Sequence, residues 1–180
     1  MDSEIRMKMY ISVYNLGSPP SDYSEELYKR YEGVFIDYLS SKVLPAIQEK
    51  RDDDVSMLEE LVERWDNHKV MVTKLSRVFH YLDRNYVVRK SLPSLKDAGF
   101  GCFRKVVYEA MKVRVKDAVI TLINQECNGE EIDRTMVKNV LEIFVMARNQ
   151  NYVDDFETAF LNDIKGYYYT RKVSDSRRLS

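Results

Sequence analysis

Hydrophobic residues recur every three or four positions through nearly all of this chain, and that period predicts α-helices. In the first segment, about residues 4–16, four of them share one helix face: Met7, Tyr10, Ile11 and Tyr14. Met9 and Val13 fall on a neighbouring face, which we expect to serve the core. Strict alternation of apolar and polar residues, which would indicate strands, is almost absent. The pattern therefore predicts an all-α protein.

Turn and capping signals divide the pattern into separate helices. Gly17 predicts the end of the first helix, and Asp22 with Glu25 predicts a capping box for the second. Pro45 predicts a kink or an end to that second helix. Ser56 with Glu59 predicts another capping box, before a helix that the Asp-Asn pair at 66–67 either breaks or bends.

The clearest internal boundary is Ser91-Leu92-Pro93, which follows a strongly periodic helix predicted over residues 68–90. Four more helices are predicted beyond it, near residues 95–111, 112–127, 133–147 and 153–169. Asn128-Gly129 predicts a turn, and Asp133 is the expected cap of the helix that follows.

Composition and charge narrow the function classes. The 180 residues are 44% hydrophobic and 32% charged, with a net charge of −1. This balance argues against a general nucleic-acid or membrane surface. Cys102 and Cys127 lie far apart within apolar helical patterns, where reduced core thiols are expected. With no signal-peptide pattern at the N-terminus, we expect a reducing, intracellular location, in cytoplasm and nucleus.

Catalytic and cofactor-binding patterns are missing from the sequence. His68 and His80 stand 12 positions apart, which is roughly 18 Å along one helix and too far for a shared metal ion. Gly99-Phe100-Gly101 lacks the third glycine of a nucleotide-binding loop, and we interpret it as a weak point in a helix. We therefore expect no enzyme activity, no metal and no cofactor.

The first helix carries the most informative pattern, because its Met and Tyr residues surround the helix axis more broadly than one core contact requires. Aromatic and Met side chains of this kind dominate protein interfaces. The alternatives are that these tyrosines simply pack in the core, or that an upstream helix covers the second face. A cationic cluster is interpreted as a solvated face: Arg77, Arg84, Arg89 and Lys90.

Six segments together resemble the N-terminal region of a plant-type cullin close to the first cullin class. They are MYISVYN at 9–15, DYSEELY at 22–28, RWDNHKVMV at 64–72, FHYLDR at 79–84, KDAVI at 116–120 and NGEEID at 128–133. The similarity runs from about Met7 to Lys172.

The resemblance implies two stacked cullin-repeat helical bundles forming an α-solenoid stalk. The first repeat would be residues 1–91 and the second residues 92–173, with a disordered tail at 174–180. It also implies a truncated cullin, with the leading helix of the first repeat and the whole third repeat absent.

In cullins of this class the first repeat binds an adaptor that carries F-box substrate receptors. The corresponding contact residues lie on the first helix and on the helix predicted at 68–90: Met7, Tyr10, Ile11, Tyr14, Tyr81, Arg84 and Asn85. The resemblance thus implies a scaffold fragment of a cullin-RING (SCF-type) ubiquitin ligase. We expect it to bind an F-box adaptor but no RING protein, nucleic acid or membrane. The alternative is a structural or oligomerising helical-repeat protein with a decayed adaptor surface.

Overall fold

The computed structural model describes residues 3–147, and within this range every regular element is helical. The α-helices are α1 (Ser3–Gly17), α2 (Ser24–Tyr38), α3 (Leu44–Glu49), α4 (Asp54–Val78), α5 (His80–Leu82), α6 (Val88–Lys90), α7 (Leu95–Phe103), α8 (Glu109–Cys127) and α9 (Arg134–Ala147). Three π-helical turns, Leu39–Val43, Asp83–Val87 and Arg104–Tyr108, join α2 to α3, α5 to α6 and α7 to α8. The predicted all-α class is confirmed.

Several predicted breaks do not occur. Helix α4 is continuous past Asp66 and Asn67. The helices predicted near 95–111 and 112–127 form one helical run. Residues 102–127 contain no proline or glycine that would end a helix, and the π-helical turn keeps the chain helical. Pro45 lies two residues after the end of the first π-helical turn, and the helix continues to Glu49. A missing N–H at this position is accommodated by the wider turn before it.

The helix starts show which capping predictions were correct. Asp133 caps α9, since its Oδ1 accepts from the backbone N–H groups of Thr135 and Met136 at 2.8 and 3.1 Å. Helix α4 is capped by Asp53, whose Oδ1 accepts from the Val55 N–H, so the predicted Ser56 cap was wrong.

The capping box predicted for α2 was also wrong. Tyr23 is the N-cap there and makes no side-chain hydrogen bond to the helix. Asp22 adopts a left-handed conformation, with φ of 37°, and instead accepts a hydrogen bond from the Ser24 hydroxyl.

Helix α4 lies at the centre of the core and packs against α1, α3, α7, α8 and α9. Its fully buried side chains include Met57, Leu58, His68 and Val72. Burial of the apolar side chains among them contributes to the main driving force for folding. The core thus fixes the position of α4, against which α1 packs.

Packing crosses the predicted boundary at residue 91. Helix α7 packs against both α2 and α4, and the Tyr28 hydroxyl donates to the carbonyl of Pro93 at 3.0 Å. The division into repeats at 1–91 and 92–173 stays a prediction. The helix predicted at 153–169 and the tail at 174–180 lie outside the described residues.

Candidate functional site

Helix α1 reaches its position through a close contact at its C-terminal end. Gly17 is buried, and a Cβ atom there would lie 3.2 Å from the Tyr81 ring and 3.4 Å from Leu82. The glycine therefore lets α1 approach α5, a packing role in addition to the predicted helix end. Val13, only 6% exposed, is the other buried residue of α1.

The predicted contact residues on α1 lie mostly on the surface. Met7, Ile11 and Tyr14 are 59%, 48% and 46% exposed, while Tyr10 is half-buried. Tyr14 packs edge-on against Tyr81, with ring centroids 4.9 Å apart and an interplanar angle of 74°. Such edge-to-face pairs contribute about 0.5–1.5 kcal/mol beyond the area they bury. The exposed strip of α1 is thereby held against α5.

The other predicted contact residues follow Phe79. Tyr81 is half-buried, whereas Arg84 and Asn85 are exposed. The Asn85 side-chain amide donates to the Tyr81 carbonyl at 2.9 Å. We call the surface formed by the seven predicted residues the α1–α5 surface: Met7, Tyr10, Ile11, Tyr14, Tyr81, Arg84 and Asn85.

The prediction of a single helix over residues 68–90 was wrong in detail. Helix α4 ends at Val78, and Phe79 departs from helical geometry with φ of −90° and ψ of 12°. Residues 68–78 belong to α4, and His68 lies in the core with 1% exposure. The α1–α5 surface therefore uses the segment after Phe79.

A second exposed apolar flank of α1 was not predicted as such. Ile5, Met9 and Leu16 are 52%, 36% and 44% exposed. Met9 was expected to serve the core and does not, because the core-facing side of α1 is narrow. Together with the α1–α5 surface, this flank makes α1 apolar around most of its circumference.

The turn between α1 and α2 ties this region together. The Tyr23 N–H donates to the Leu16 carbonyl at 2.8 Å, and the Ser24 hydroxyl lies 3.2 Å from the Gly17 carbonyl oxygen. Asp22 faces Arg89 across 3.5 Å. These contacts link the end of α1 both to α2 and to α6.

His68 supports the C-terminal part of α4 from inside. Its Nε2 lies 2.9 Å from the Gly99 carbonyl oxygen, and its ring packs against Phe35 and Phe103 with centroids 5.2 and 5.1 Å away. Desolvation by burial lowers the pKa of His68 to about 4. The imidazole is thus neutral near pH 7 and acts as a structural link between α4 and α7.

Gly99 is a close-approach residue. A Cβ there would lie 2.8 Å from Val72 Cγ2 and 3.0 Å from Val72 Cγ1, so α4 and α7 meet at the glycine backbone. The interpretation of Gly99-Phe100-Gly101 as a weak point in a helix did not include this packing role. Gly101 has no atom within 4 Å of its Cβ position and has no such role.

Acidic and histidine side chains within residues 3–147 bear on metal and substrate binding. No group of three or more His, Cys, Asp or Glu side chains there could hold a metal ion. A cavity of about 420 Å³ between α4 and α9 is lined partly by carboxylates, and neither histidine lines it. In the same part of the chain, no helix has the length and apolar character needed to cross a membrane.

Comparison with known proteins identifies the family. The cullin α-solenoid domain model matches residues 1–178. The chain belongs to the cullin family. Its relatives include Cullin-1 of Oryza sativa subsp. japonica, 51% identical over 166 residues, and Cullin-2 of Arabidopsis thaliana, 46% identical over 168 residues. Cullin-like protein 3 of Arabidopsis thaliana is 37% identical over 173 residues.

The cullin relatives differ in how much of their length is matched. The aligned region covers 89% of this chain but 22% of Cullin-1, and 91% of this chain but 22% of Cullin-2. It covers 94% of this chain and 66% of Cullin-like protein 3. The chain thus spans about a fifth of the length of the first two cullins.

Proposed function

We propose that this cullin chain is a scaffold part of a cullin-RING ubiquitin ligase and binds an F-box adaptor through the α1–α5 surface. Membership of the cullin family supports the scaffold role. The observation that carries the adaptor role is the exposed strip of Met7, Ile11 and Tyr14, anchored by the contact of Tyr14 with Tyr81.

The physical basis is the cost of leaving such a strip in water. Burial of apolar surface contributes roughly 25 cal/mol per Å², and Met and aromatic side chains are enriched at the centres of interfaces. Because Tyr14 is already packed on Tyr81, a partner that covers it has less side-chain motion to restrict. The strip is thus prepared for a partner with an apolar groove.

The test is calorimetric titration of residues 1–180 with a purified F-box adaptor. Tyr14→Ala should weaken binding by about 2 kcal/mol or more if the ring is a hot spot, which is roughly a 30-fold increase in Kd. Tyr23→Ala is the matched control, because Tyr23 is 52% exposed and lies outside the α1–α5 surface. The affinity of Tyr23→Ala for the adaptor should equal that of the unmodified chain.

Two results would contradict the proposal. Unchanged affinity in both Tyr10→Ala and Tyr14→Ala would remove these residues from the interface. Absence of any adaptor binding by the unmodified chain would exclude the adaptor role and favour the structural alternative.

The alternative function is that of an oligomerising helical-repeat protein, and the exposed flank of Ile5, Met9 and Leu16 favours it. A self-association surface would use this flank. Sedimentation equilibrium of the unmodified chain and of Leu16→Ser distinguishes the two functions. A dimer that the Leu16→Ser variant loses supports oligomerisation, whereas a monomer in both cases counts against it.

A further inference from the structure

The charges around the α1–α5 surface are strongly unbalanced. No carboxylate occurs between residues 5 and 21 or between residues 67 and 82. Glu4, at the start of α1, is paired with Lys8 at 2.6 Å. Asp83 accepts a hydrogen bond from the Leu95 N–H at 2.8 Å and is half-buried. The face that carries the candidate surface therefore has few acidic groups, although the whole chain has a net charge of −1.

Three exposed cations lie on α4 and on the segment after Phe79. Lys74 and Arg77 lie three positions apart on α4, and Arg84 lies three positions after Tyr81 in the segment that follows Phe79. We call these three cations the stripe. Lys74, Arg77 and Arg84 are exposed, while Val78 and Leu82, which alternate with them, are buried. Tyr81 contacts Tyr14, and α1 packs against both α4 and α5, so the stripe lies on or next to the elements that pack against α1.

These cations are free to act on a partner. Within residues 3–147, the side chains of Lys74, Arg77 and Arg84 lie in no ion pair. The opposite situation holds in the first half of α4, where Asp54, Glu60 and Asp66 are paired with cations. Positive charge is thus concentrated without internal compensation beside the apolar strip.

We propose that the partner of the α1–α5 surface is a protein with an acidic rim around an apolar groove, and that the stripe of Lys74, Arg77 and Arg84 steers its association. This inference rests on the proposed adaptor function. Apolar contacts at the centre set the dissociation rate, while rim charges act on the association rate and its dependence on salt. Opposite charges attract the partner over a distance set by the Debye length, about 30 Å at 0.01 M and 3 Å at 1 M salt.

A protein partner fits the surface better than a nucleic acid does. Three exposed cations accompany the exposed Met7, Ile11 and Tyr14 side chains. A nucleic-acid backbone requires a continuous cationic groove, with aromatic rings as stacking platforms. In this surface the Tyr14 and Tyr81 rings are packed edge-on against each other.

Stopped-flow association of residues 1–180 with a purified F-box adaptor tests the inference. In Lys74→Gln/Arg77→Gln, the association rate constant should fall about 3- to 10-fold at 0.01 M salt, with the dissociation rate nearly unchanged. The difference should vanish at 1 M salt. The control is Lys42→Gln/Lys105→Gln, which removes the same charge from exposed positions on the first and third π-helical turns. It should leave the association rate constant nearly unchanged. Circular-dichroism melting confirms that both variants are folded.

The outcomes separate the inference from the proposed function. Adaptor binding with equal effects of the two double variants, or with no salt dependence, overturns the steering role and leaves the adaptor function standing. No adaptor binding by the unmodified chain overturns both. If a fluorescent single-stranded RNA binds at 0.15 M salt and Lys74→Gln/Arg77→Gln abolishes that binding without affecting adaptor association, the stripe belongs to nucleic acid and the inference is wrong.

Discussion

Replacement of Gly99 by alanine isolates the close approach of α7 to α4. A methyl group at this position would lie 2.8 and 3.0 Å from the two γ-carbons of Val72 and 3.3 Å from the Tyr31 hydroxyl oxygen. Val72 is fully buried, so it has no free space into which to move. The Gly99 carbonyl is also the hydrogen-bond partner of His68, and a shift of α7 would lengthen that bond.

Two opposing effects set the change in unfolding free energy caused by Gly99→Ala. Alanine is favoured over glycine in a helix interior by about 1 kcal/mol. Overpacking of a well-packed core costs typically 1–3 kcal/mol. Gly101, two residues further along α7, provides the matched control because nothing lies within 4 Å of its Cβ position. Gly101→Ala should therefore be neutral or stabilising, and Gly99→Ala should be less stable than Gly101→Ala by about 1–3 kcal/mol.

Urea unfolding followed by circular dichroism measures the free energies of unfolding, with unchanged m-values as the check on two-state behaviour. A double-mutant cycle with Val72→Ala sharpens the result. Since that change removes both crowded methyl groups, the penalty of Gly99→Ala should shrink in its presence. Equal stabilisation by Gly99→Ala and Gly101→Ala would refute the close-approach argument.

Three further predictions follow from the site and the core. Because the pKa of His68 falls to about 4 on folding from about 6.5, the unfolded chain binds more protons between these values. The free energy of unfolding should keep the whole contribution of neutral His68 above pH 6.5 and decrease by up to about 3 kcal/mol as the pH drops to 4. Parallel curves of unfolding free energy against pH for the unmodified chain and His68→Gln would contradict this. Asp133→Ala should lower the free energy of unfolding by about 1 kcal/mol, because two hydrogen bonds to the start of α9 are lost. An unchanged urea midpoint would exclude a capping role. Residues 1–180 should compete with a longer cullin for the adaptor and so inhibit a reconstituted ubiquitination reaction, with relief by extra adaptor through mass action. Unchanged product at a large excess of residues 1–180 would contradict adaptor binding.

The sequence predicted the residues of the α1–α5 surface from local signals. The spacing of Met7, Tyr10, Ile11 and Tyr14 depends on the helical period alone, and the segment at 79–84 was recognised from its resemblance to cullins. Whether these residues bind an adaptor stays a prediction. The sequence interpretation treated Arg77 and Arg84 as a solvated face, since it had no means of placing them beside the apolar strip of α1.

By itself, the sequence determined the helical class, the cullin family, the turn at Gly129 and the cap at Asp133. Each of these depends on residues within a few positions of one another, or on motifs read directly from the chain. Tertiary structure decided which side of α1 is exposed and why Gly99 must lack a side chain. Burial and close approach arise between residues distant in sequence, as in the contacts of Tyr14 with Tyr81 and of Gly99 with Val72, and no local pattern encodes such a distance.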